Sequence, residues 1–340
     1  MNRSFKAVLM TSAAALIGMT TVAHAGGFAV REQSTSSQGA SFAGAAAGGD
    51  LSSMFWNPAA LGASEGTNME SHYAIFFAES ELTADGGTLA GAPGSPTSGD
   101  IAESAVIPSS YFGHQLNDRT WVGLSINSPF GLVTRPEDRD WQGATIARRS
   151  KIFTVNAAPT VAYEVMPGVV LGAGIQVQYM EAQLKFATGV APGAASAVYD
   201  GDDIGVGGTL GLSLNPTEGT QIGLGYRSQV RHELDGELFV VGSPLPSSAN
   251  TVDLRTPDTV TLSVRQAVTP SLRVMGTFEW TNWSDFDVVT LTDLTGINPL
   301  LAGGTASIEA NWNDAWFASC LLYTSPSPRD QRGSRMPSSA

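Results

Sequence analysis

The feature that most constrains this chain is an alternation of apolar and polar residues that recurs from about residue 68 onwards. In residues 260–265, for example, Val260, Leu262 and Val264 alternate with two hydroxyl residues and an arginine. Because successive residues of a β-strand point to opposite faces of the sheet, each such run has one apolar and one polar face. The pattern therefore predicts an all-β fold.

The length and spacing of these runs indicate how the apolar face is covered. A soluble sandwich buries that face against a second sheet, whereas an outer-membrane barrel turns it towards lipid. Runs of about ten residues, joined alternately by short turns and long polar loops, favour a transmembrane antiparallel β-barrel. Nine strands are predicted, at residues 68–80, 104–116, 119–128, 150–164, 168–186, 204–215, 219–240, 256–269 and 271–283, and a tenth begins near Trp312.

Aromatic residues cluster near the predicted strand ends. Rings with a polar edge prefer the boundary between lipid and water, so these residues suit the interfacial girdles of a barrel. Ordinary core packing is the alternative for each of them. The predicted girdle residues are Tyr73, Phe76, Phe77, Tyr111, Phe112, Trp121, Tyr179, Trp280 and Trp283.

The N-terminus carries an export signal. Arg3 and Lys6 precede an apolar stretch at residues 7–22, and Ala23-His24-Ala25 fits the pattern at which signal peptides are cleaved. Residues 1–25 are therefore predicted to be a signal peptide, with an N-terminal membrane anchor as the alternative. Since the chain has 1 cysteine, Cys320, no disulfide within it is expected to hold an exported fold together.

Two further segments lack strand alternation. Residues 26–66 are rich in glycine, alanine and serine and too poor in charge for a solvated linker, so they are predicted to pack inside the barrel as a hatch. Residues 320–340 change abruptly to arginine and proline. We expect this tail to be foreign sequence read from a cloning or sequencing adapter, with a disordered tail as the alternative. The barrel at residues 67–319 would then be incomplete, because bacterial barrels close with an even number of strands.

Composition and motifs argue against enzymatic and nucleic-acid functions. Only 14% of residues are charged, and 31 acidic residues outnumber 18 basic ones, without a basic stripe. The 4 histidines stand alone, and neither a zinc-ligand spacing nor a G-x-S-x-G motif is present. Asp200, Asp202 and Asp203 have oxygen ligands for calcium, but a solvated loop tip explains them better. No enzyme, metal or cofactor is expected.

Short blocks along the chain resemble the FadL-type outer-membrane transporters of long-chain fatty acids and other hydrophobic compounds. They follow the family's order and cover essentially residues 26–319. The matching blocks are Gly27-Phe28, Asn57-Pro58-Ala59, Ser128-Pro129-Phe130-Gly131-Leu132, Asp200-Gly201-Asp202-Asp203, Tyr226-Arg227-Ser228, Thr256-Pro257-Asp258, Glu279-Trp280-Thr281-Asn282-Trp283-Ser284 and Asn311-Trp312-Asn313-Asp314-Ala315-Trp316-Phe317. The resemblance implies a barrel of 14 strands, of which about nine or ten are present here, with an N-terminal hatch in the lumen and passive uptake without a cofactor. The sequence departs from the family after Ser319.

Substrate-binding residues are expected in the loops and at the start of the hatch. Phe130 and Leu132 are candidates for an apolar capture groove at the outer surface. The resemblance implies a deeper ligand contact for Phe28. It also implies polar contacts for a carboxylate at Ser128 and Lys185, with a loop lysine near the extracellular interface as the alternative for Lys185. At Asn313, where the family often has a basic residue, an amide offers only neutral hydrogen bonds.

Pro129 and Gly131 suggest a route out of the barrel. Proline removes a donor from the strand ladder and glycine tolerates a strained backbone, so the third strand is expected to kink inward and open the wall. The family has such a kink, and the resemblance implies lateral exit into the membrane. We expect Asn57, Pro58 and Ala59 of the hatch to pack against it. An ordinary turn after the strand is the alternative.

Together these observations predict passive uptake of long-chain fatty acids or other hydrophobic compounds across the outer membrane of a Gram-negative bacterium. The expected partners are the hydrophobic cargo, outer-membrane lipid and the barrel assembly machinery, with no nucleic acid and a monomeric state. Two alternatives stay open: a structural or adhesive surface barrel, and a general porin for polar solutes.

Overall fold

The computed structural model describes residues 27–86, 91–286, 288–297, 304–309 and 311–324. The predicted signal peptide and residues 325–340 of the predicted foreign tail lie outside the described residues. In chain order the strands are β1 (Thr67–Phe76), β2 (Glu81–Thr83), β3 (Thr97–Asp100), β4 (Ala105–Asn117), β5 (Thr120–Asn127), β6 (Gly131–Thr134), β7 (Arg149–Met166), β8 (Val169–Ala187), β9 (Ser196–Thr217), β10 (Thr220–Arg227), β11 (Arg231–Val240), β12 (Ser248–Arg255), β13 (Thr259–Thr269), β14 (Leu272–Thr281), β15 (Val288–Leu291), β16 (Ala306–Glu309) and β17 (Ala315–Thr324).

The main sheet is antiparallel throughout its central path. Its strands follow one another in the order β1-β4-β5-β7-β8-β9-β10-β13-β14-β17. Short turns, such as residues 167–168 between β7 and β8, alternate in this order with longer connections, such as residues 188–195 between β8 and β9. The strand β17 pairs with β14 along its whole length, so residues 320–324 continue the ladder.

The ten strands expected from alternation are all present in this sheet. Six strands were not predicted: β2, β3, β6, β12, β15 and β16. The predicted strand at residues 219–240 is interrupted between β10 and β11, where outward-facing residues become charged. On β11, Arg231, Glu233, Asp235 and Glu237 are exposed on one face, so the apolar period is lost while pairing with β9 continues. Charge on this face places β11 beyond the apolar band of the strands.

The faces of the sheet are inverted relative to a soluble protein. On the outer face Ile175, Ile204 and Leu210 are each about 60% exposed, whereas Gln176 and Gln178 on the inner face are buried. A soluble sheet would expose the glutamines and bury the aliphatic residues. This arrangement is typical of strands whose outer face contacts lipid.

The aromatic residues divide between the two faces. Tyr73, Phe76, Phe77 and Phe112 are exposed on the outer face, as a girdle requires. The girdle prediction was wrong for three residues, which are buried on the inner side: Tyr111, Trp121 and Trp283. Inner-facing aromatics find polar partners there, since the Trp121 indole N–H donates to the carbonyl oxygen of Ser64 at 2.8 Å.

The N-terminal segment packs against the inner face of the sheet. It contains helix α1 (Thr35–Gly39) and 3₁₀ turns at Ala45–Ala47, Leu51–Phe55 and Pro58–Ala63. These turns contact strands from β1 at one end of the sheet to β13 near the other, so the sheet must curve around them. None of the helices in the described ranges is long and apolar enough to cross a membrane.

Candidate functional site

The strand wall has a break on one side of β5. Residues 110–117 of β4 pair with β5, but residues 105–109 pair only with β1. The ladder of β5 ends at Asn127, and the chain resumes pairing with β7 at Gly131 as β6. Pro129 lies between the two strands and has no N–H to donate. The strand is therefore interrupted at the position where the kink is predicted, and this leaves a gap between β4 and β6.

The first residues of the N-terminal segment fill this gap. The Val30 amide donates to the carbonyl oxygen of Pro129 at 2.8 Å, and the Gly131 amide donates to that of Phe28 at 2.9 Å. Ala29 and Phe130 form an antiparallel bridge between these bonds. Residues 28–30 thus behave as a short strand added to the broken end of β5.

Gln33, which the sequence analysis missed, ties both sides of the gap together. Its side chain is fully buried. The amide nitrogen donates to the carbonyl oxygen of Ser128 at 2.7 Å, while the amide oxygen accepts from the Ser128 N–H at 3.2 Å. Its backbone carbonyl accepts from the hydroxyls of Ser109 and Tyr111 on β4. A lone glutamine among small residues carried no signal of this role.

Above these backbone bonds, Phe28 is the centre of an aromatic cluster. Its ring lies 5.7 Å from Phe130, 5.0 Å from Trp283, 5.2 Å from Phe286 and 5.9 Å from Trp312, measured between centroids. Edge-to-face pairs at such distances add to the stability that comes from burial. Phe130 was expected in an outer groove, but it is buried beside Phe28 because the kink turns it inward.

Two cavities meet at this cluster. The first, which we call the apolar cavity, measures about 670 Å³, and its lining includes Leu184, Phe186, Tyr199, Leu234, Phe286 and Trp312. The second, the gap cavity, measures about 530 Å³ and lies along the break, between residues 105–110 and 131–134. Phe28, Leu132, Lys151 and Ile152 line both. Leu132 is thus placed as a ligand contact would require.

One charged residue, Lys151, borders the apolar cavity. It is the ladder partner of Gln183 and lies two residues from Arg149, so alternation puts its side chain on the outer face, where Nζ is 2.6 Å from Glu181 Oε1. Lys185, the cation expected to bind a carboxylate, does not line this cavity. Its neighbours Leu184 and Phe186 pack inward, and alternation along β8 puts Lys185 on the outer face. The structure therefore places Lys185 on the outer face of the wall, away from the apolar cavity.

A third cavity, of about 240 Å³, lies between the N-terminal segment and β14, and two arginines line it. Arg31 forms an ion pair with Glu279 at 2.6 Å, and its guanidinium lies 3.9 Å from the centre of the Phe317 ring. Arg227 donates to Gln176 and to the carbonyl oxygen of Phe55. Both arginines that line this cavity therefore have partners already.

The structure gives no direct support for ligand contact by two other predicted binding residues, Ser128 and Asn313. The Ser128 hydroxyl donates to the carbonyl oxygen of Thr154 at 2.6 Å and so is already used, although Ser128 borders the gap cavity. Asn313 is exposed. Its neighbours on either side are the ones that contribute: Trp312 joins the aromatic cluster, and Asp314 accepts from the Trp280 indole at 2.9 Å.

The expectation that Asn57, Pro58 and Ala59 pack against the kink was wrong. They lie against β8 and β9, where Cβ atoms on Gly172 and Gly211 would overlap them. Asn57 is fully buried and donates to the carbonyl oxygens of Ala46 at 2.8 Å and Leu212 at 3.1 Å. Because these strand glycines have no Cβ atom, the backbone of residues 57–59 can pack directly against β8 and β9. Residues 28–30 lie at the kink instead.

The three aspartates considered for calcium do not converge. Asp200 accepts from Gln183, Asp202 is exposed, and Asp203 accepts from the buried His232 at 3.1 Å. Burial lowers the pKa of His232, and Asp203 opposes that effect. Within the described ranges, no group of three or more His, Cys, Asp or Glu residues is arranged to hold a metal ion.

Residues 16–320 match the model of a family described as outer membrane protein transport protein (OMPP1/FadL/TodX). Outer membrane protein P1 of Haemophilus influenzae is 25% identical over 312 residues, which are 77% of this chain and 67% of that protein. The long-chain fatty acid transport protein of Escherichia coli O6:H1 is 23% identical over 378 residues, with 96% and 83% covered.

Two solved structures share the fold. A Pseudomonas aeruginosa FadL homologue superposes with a TM-score of 0.70 at 21% identity, over 88% of this chain and 78% of that one. The Ralstonia pickettii toluene transporter TbuX superposes with a TM-score of 0.56 at 17% identity, over 80% and 77% of the two chains. At these identities the likeness establishes a common architecture.

Proposed function

Because this chain belongs to the outer membrane protein transport family OMPP1/FadL/TodX, we propose that it takes up hydrophobic small molecules through the break in its strand wall. Membership makes it a β-barrel protein of the Gram-negative outer membrane. In this proposal residues 26–66 are the hatch. Cargo enters the apolar cavity, passes Phe28, and leaves through the gap cavity into the lipid.

One observation carries this proposal: two cavities with apolar linings meet at the same four residues, and one of them lies along a break in the wall. A hydrophobic molecule gains about 25 cal/mol for each Å² of its surface removed from water. In a water-filled lumen the surface of the cargo would be hydrated again, and this gain in free energy would be lost at every step. Apolar cavities in series keep the cargo out of water from capture to exit.

The charges along this route favour cargo without a carboxylate. Lys151, which lines the gap cavity beside the outward Phe153, is the candidate cation, and Glu181 already pairs with it. A fatty-acid carboxylate would have to compete with Glu181 for this ammonium, at a cost in affinity. Neutral aromatic or aliphatic compounds meet no such competition. Fatty acids remain within the proposal, with the carboxylate head at Lys151.

The route is tested by narrowing the apolar cavity. Ala182 is buried on β8 and lines that cavity, so Ala182→Trp should fill it and weaken binding of labelled toluene and oleate by about tenfold or more, equivalent to about 1.4 kcal/mol. Ala173, exposed on the same strand, provides the control Ala173→Trp. Equal binding by both variants would contradict the proposed site. Swelling of liposomes in sugars, with no hydrophobic uptake, would favour the porin alternative.

The preference for neutral cargo has its own test. Glu181→Gln frees the Lys151 ammonium, so oleate should bind about tenfold tighter while methyl oleate, which lacks the carboxylate charge, is unchanged. Glu237→Gln on the exposed face of β11 is the matched control. If oleate and methyl oleate respond alike to Glu181→Gln, Lys151 does not contact the head group.

A further inference from the structure

A basic groove lies on the outer face of the wall, opposite the apolar cavity. Arg149 of β7 and Lys185 of β8 are direct partners in the strand ladder. The residues beside Lys185, Leu184 and Phe186, pack into the inner cluster, so Lys185 and its partner face outward. We call the outward cavity that these two cations border, about 840 Å³ in volume, the rim groove.

The rim groove concentrates positive charge in an acidic protein. The chain carries a net charge of −13, yet five basic side chains line this groove against two acidic ones, Asp100 and Glu137. The loop that follows β6 supplies the other three cations, Arg135, Arg139 and Arg148. Such a concentration of charge attracts an anion from solution or from a membrane surface.

The cations of the rim groove differ in what they already bind. Arg148 is buried and committed, with Asp140 at 2.7 Å and the carbonyl oxygen of Ala194 at 2.7 Å. Arg149 Nε is buried and has no hydrogen-bond partner within the described part of the chain. The Lys185 ammonium likewise has no ion pair or hydrogen bond among the residues that the structure describes. A buried donor without a partner is costly, so Arg149 is suited to an incoming acceptor.

The position of the groove along the strands, relative to the apolar outer band, indicates which kind of anion it binds. Phe153 on β7 is 40% exposed and belongs to the apolar outer band. Arg149 lies four residues further along the same strand, a rise of about 13 Å at about 3.3 Å per residue. Cations just beyond the apolar band lie at the level of lipid head groups. The side chains of Val198 and Phe239 line the groove beside the cations and offer an apolar surface.

We propose that the rim groove binds a phosphorylated glycolipid of the outer leaflet, with Arg149 and Lys185 contacting a phosphate monoester. A guanidinium can donate two parallel hydrogen bonds to a phosphate, which makes arginine well suited to such groups. The acyl chains of the same lipid then lie along the apolar outer band below. This site is separate from the apolar cavity, because it lies on the other face of the wall.

The experiment measures lipid binding by the full chain in detergent micelles. The probes are a bisphosphorylated glycolipid, its dephosphorylated form and inorganic phosphate. The variant Arg149→Gln/Lys185→Gln should weaken binding of the bisphosphorylated form by about tenfold or more and leave the dephosphorylated form unchanged. The control is Arg231→Gln, which removes an exposed cation that already pairs with Asp253 and Glu233. Heat-modifiable migration on gels checks that each variant is folded.

Three results would overturn the proposal. The first is equal affinity of the unaltered chain for the phosphorylated and dephosphorylated lipids. The second is unchanged affinity of the double variant while it stays folded. The third is binding of inorganic phosphate as tight as that of the lipid, since the groove would then be a site for a free anion. Failure of hydrophobic uptake in other variants would not affect any of these measurements.

Discussion

The N-terminal segment meets the strand wall in two different ways. Around Asn57 it lies on the continuous ladder of β8 to β10, and a buried side chain donates to the carbonyl oxygens of Ala46 and Leu212. At residues 28–30 it occupies a break in the ladder, and its own backbone supplies the missing strand. The first contact depends on a buried side-chain amide, whereas the second combines main-chain bonds with the packing of the Phe28 ring in the aromatic cluster.

This difference indicates which end of the segment can move. Withdrawing Asn57 would leave buried donors and acceptors without partners, at a cost of about 1–3 kcal/mol each. Withdrawing residues 28–30 opens two backbone bonds beside an open cavity, where water or cargo can replace them. We therefore expect the segment to stay anchored at residues 57–59 while residues 28–33 open and close the gap.

The largest effect is expected from crowding the anchor. A Cβ atom on Gly225 would overlap the carbonyl oxygen of Trp56, which is backbone and cannot turn aside. Gly225→Ala should therefore displace the hatch and destabilise the fold by about 3 kcal/mol or more. The temperature of heat-modifiable unfolding measures this change. The control is Gly208→Ala on β9, where the nearest atom would be 3.8 Å away. Equal stability of the two variants would refute the anchor.

Removing the anchoring amide should have the next largest effect. Asn57→Ala leaves the carbonyl oxygen of Ala46 buried and without this donor, so we expect a loss of about 2 kcal/mol. Asn68→Ala, an exposed site whose amide donates to Glu65, should change stability by less than about 0.5 kcal/mol. Chemical denaturation of both variants checks the difference. An equally small loss at Asn57 would show that the hatch is held elsewhere.

At the gap, the effect should be local. Gln33→Ala removes the two bonds to Ser128 but keeps the backbone contacts with β4, so the gap should open more often, by about 1–2 kcal/mol in local free energy. Hydrogen exchange at the amides of Val30 and Gly131 reports this opening. The exposed residue Gln38 supplies the control Gln38→Ala. Unchanged exchange in Gln33→Ala would mean that residues 28–30 are held independently of Gln33.

The smallest effect on stability is expected from straightening the kink, although its effect on transport should be large. Pro129→Val/Gly131→Val restores a backbone donor at the break, and a Cβ atom at Gly131 would lie 3.6 Å from Val30, which is ordinary contact. We expect stability to change by less than about 1 kcal/mol and uptake to fall sharply. Normal uptake with a continuous strand would mean that cargo leaves by another route.

Much of the wall could be predicted from the sequence because lipid imposes a simple rule on it. Where the outer face touches lipid, alternation is strict, and the long strands of the main sheet were predicted, although β9 begins eight residues before its predicted start. Where the outer face is charged, as on β11, the rule no longer applies and β12 was missed. The kink was found because proline cannot donate to a ladder.

The partners across the wall could not be predicted. The contacts between the N-terminal segment and the wall depend on how that segment folds back over many strands. The sequence therefore does not reveal which glycines pack against Asn57 or which residues fill the gap. Lys185 illustrates the limit. Alternation alone would have placed its side chain on the other face of the sheet from Leu184 and Phe186, but the resemblance suggested a contact with the carboxylate of the cargo. Gln33 has a role that only its position between β4 and β5 gives it.

The central claim is that cargo passes the wall where residues 28–30 fill the break. Ala29 and Phe130 form an antiparallel bridge, and such pairs have Cα separations compatible with a disulfide. Ala29→Cys/Phe130→Cys, in a background carrying Cys320→Ser, can therefore lock the gap reversibly. A control pair, Leu224→Cys/Leu262→Cys, joins strands that are already continuous partners.

The measurement is uptake of labelled toluene and oleate by cells that carry each pair, in oxidised and reduced form. The oxidised gap pair should still bind cargo but take it up about tenfold more slowly, and reduction should restore the rate, while the control pair is insensitive to both treatments. Equal uptake by the oxidised and reduced gap pair, with the disulfide formed, would contradict lateral exit through this break.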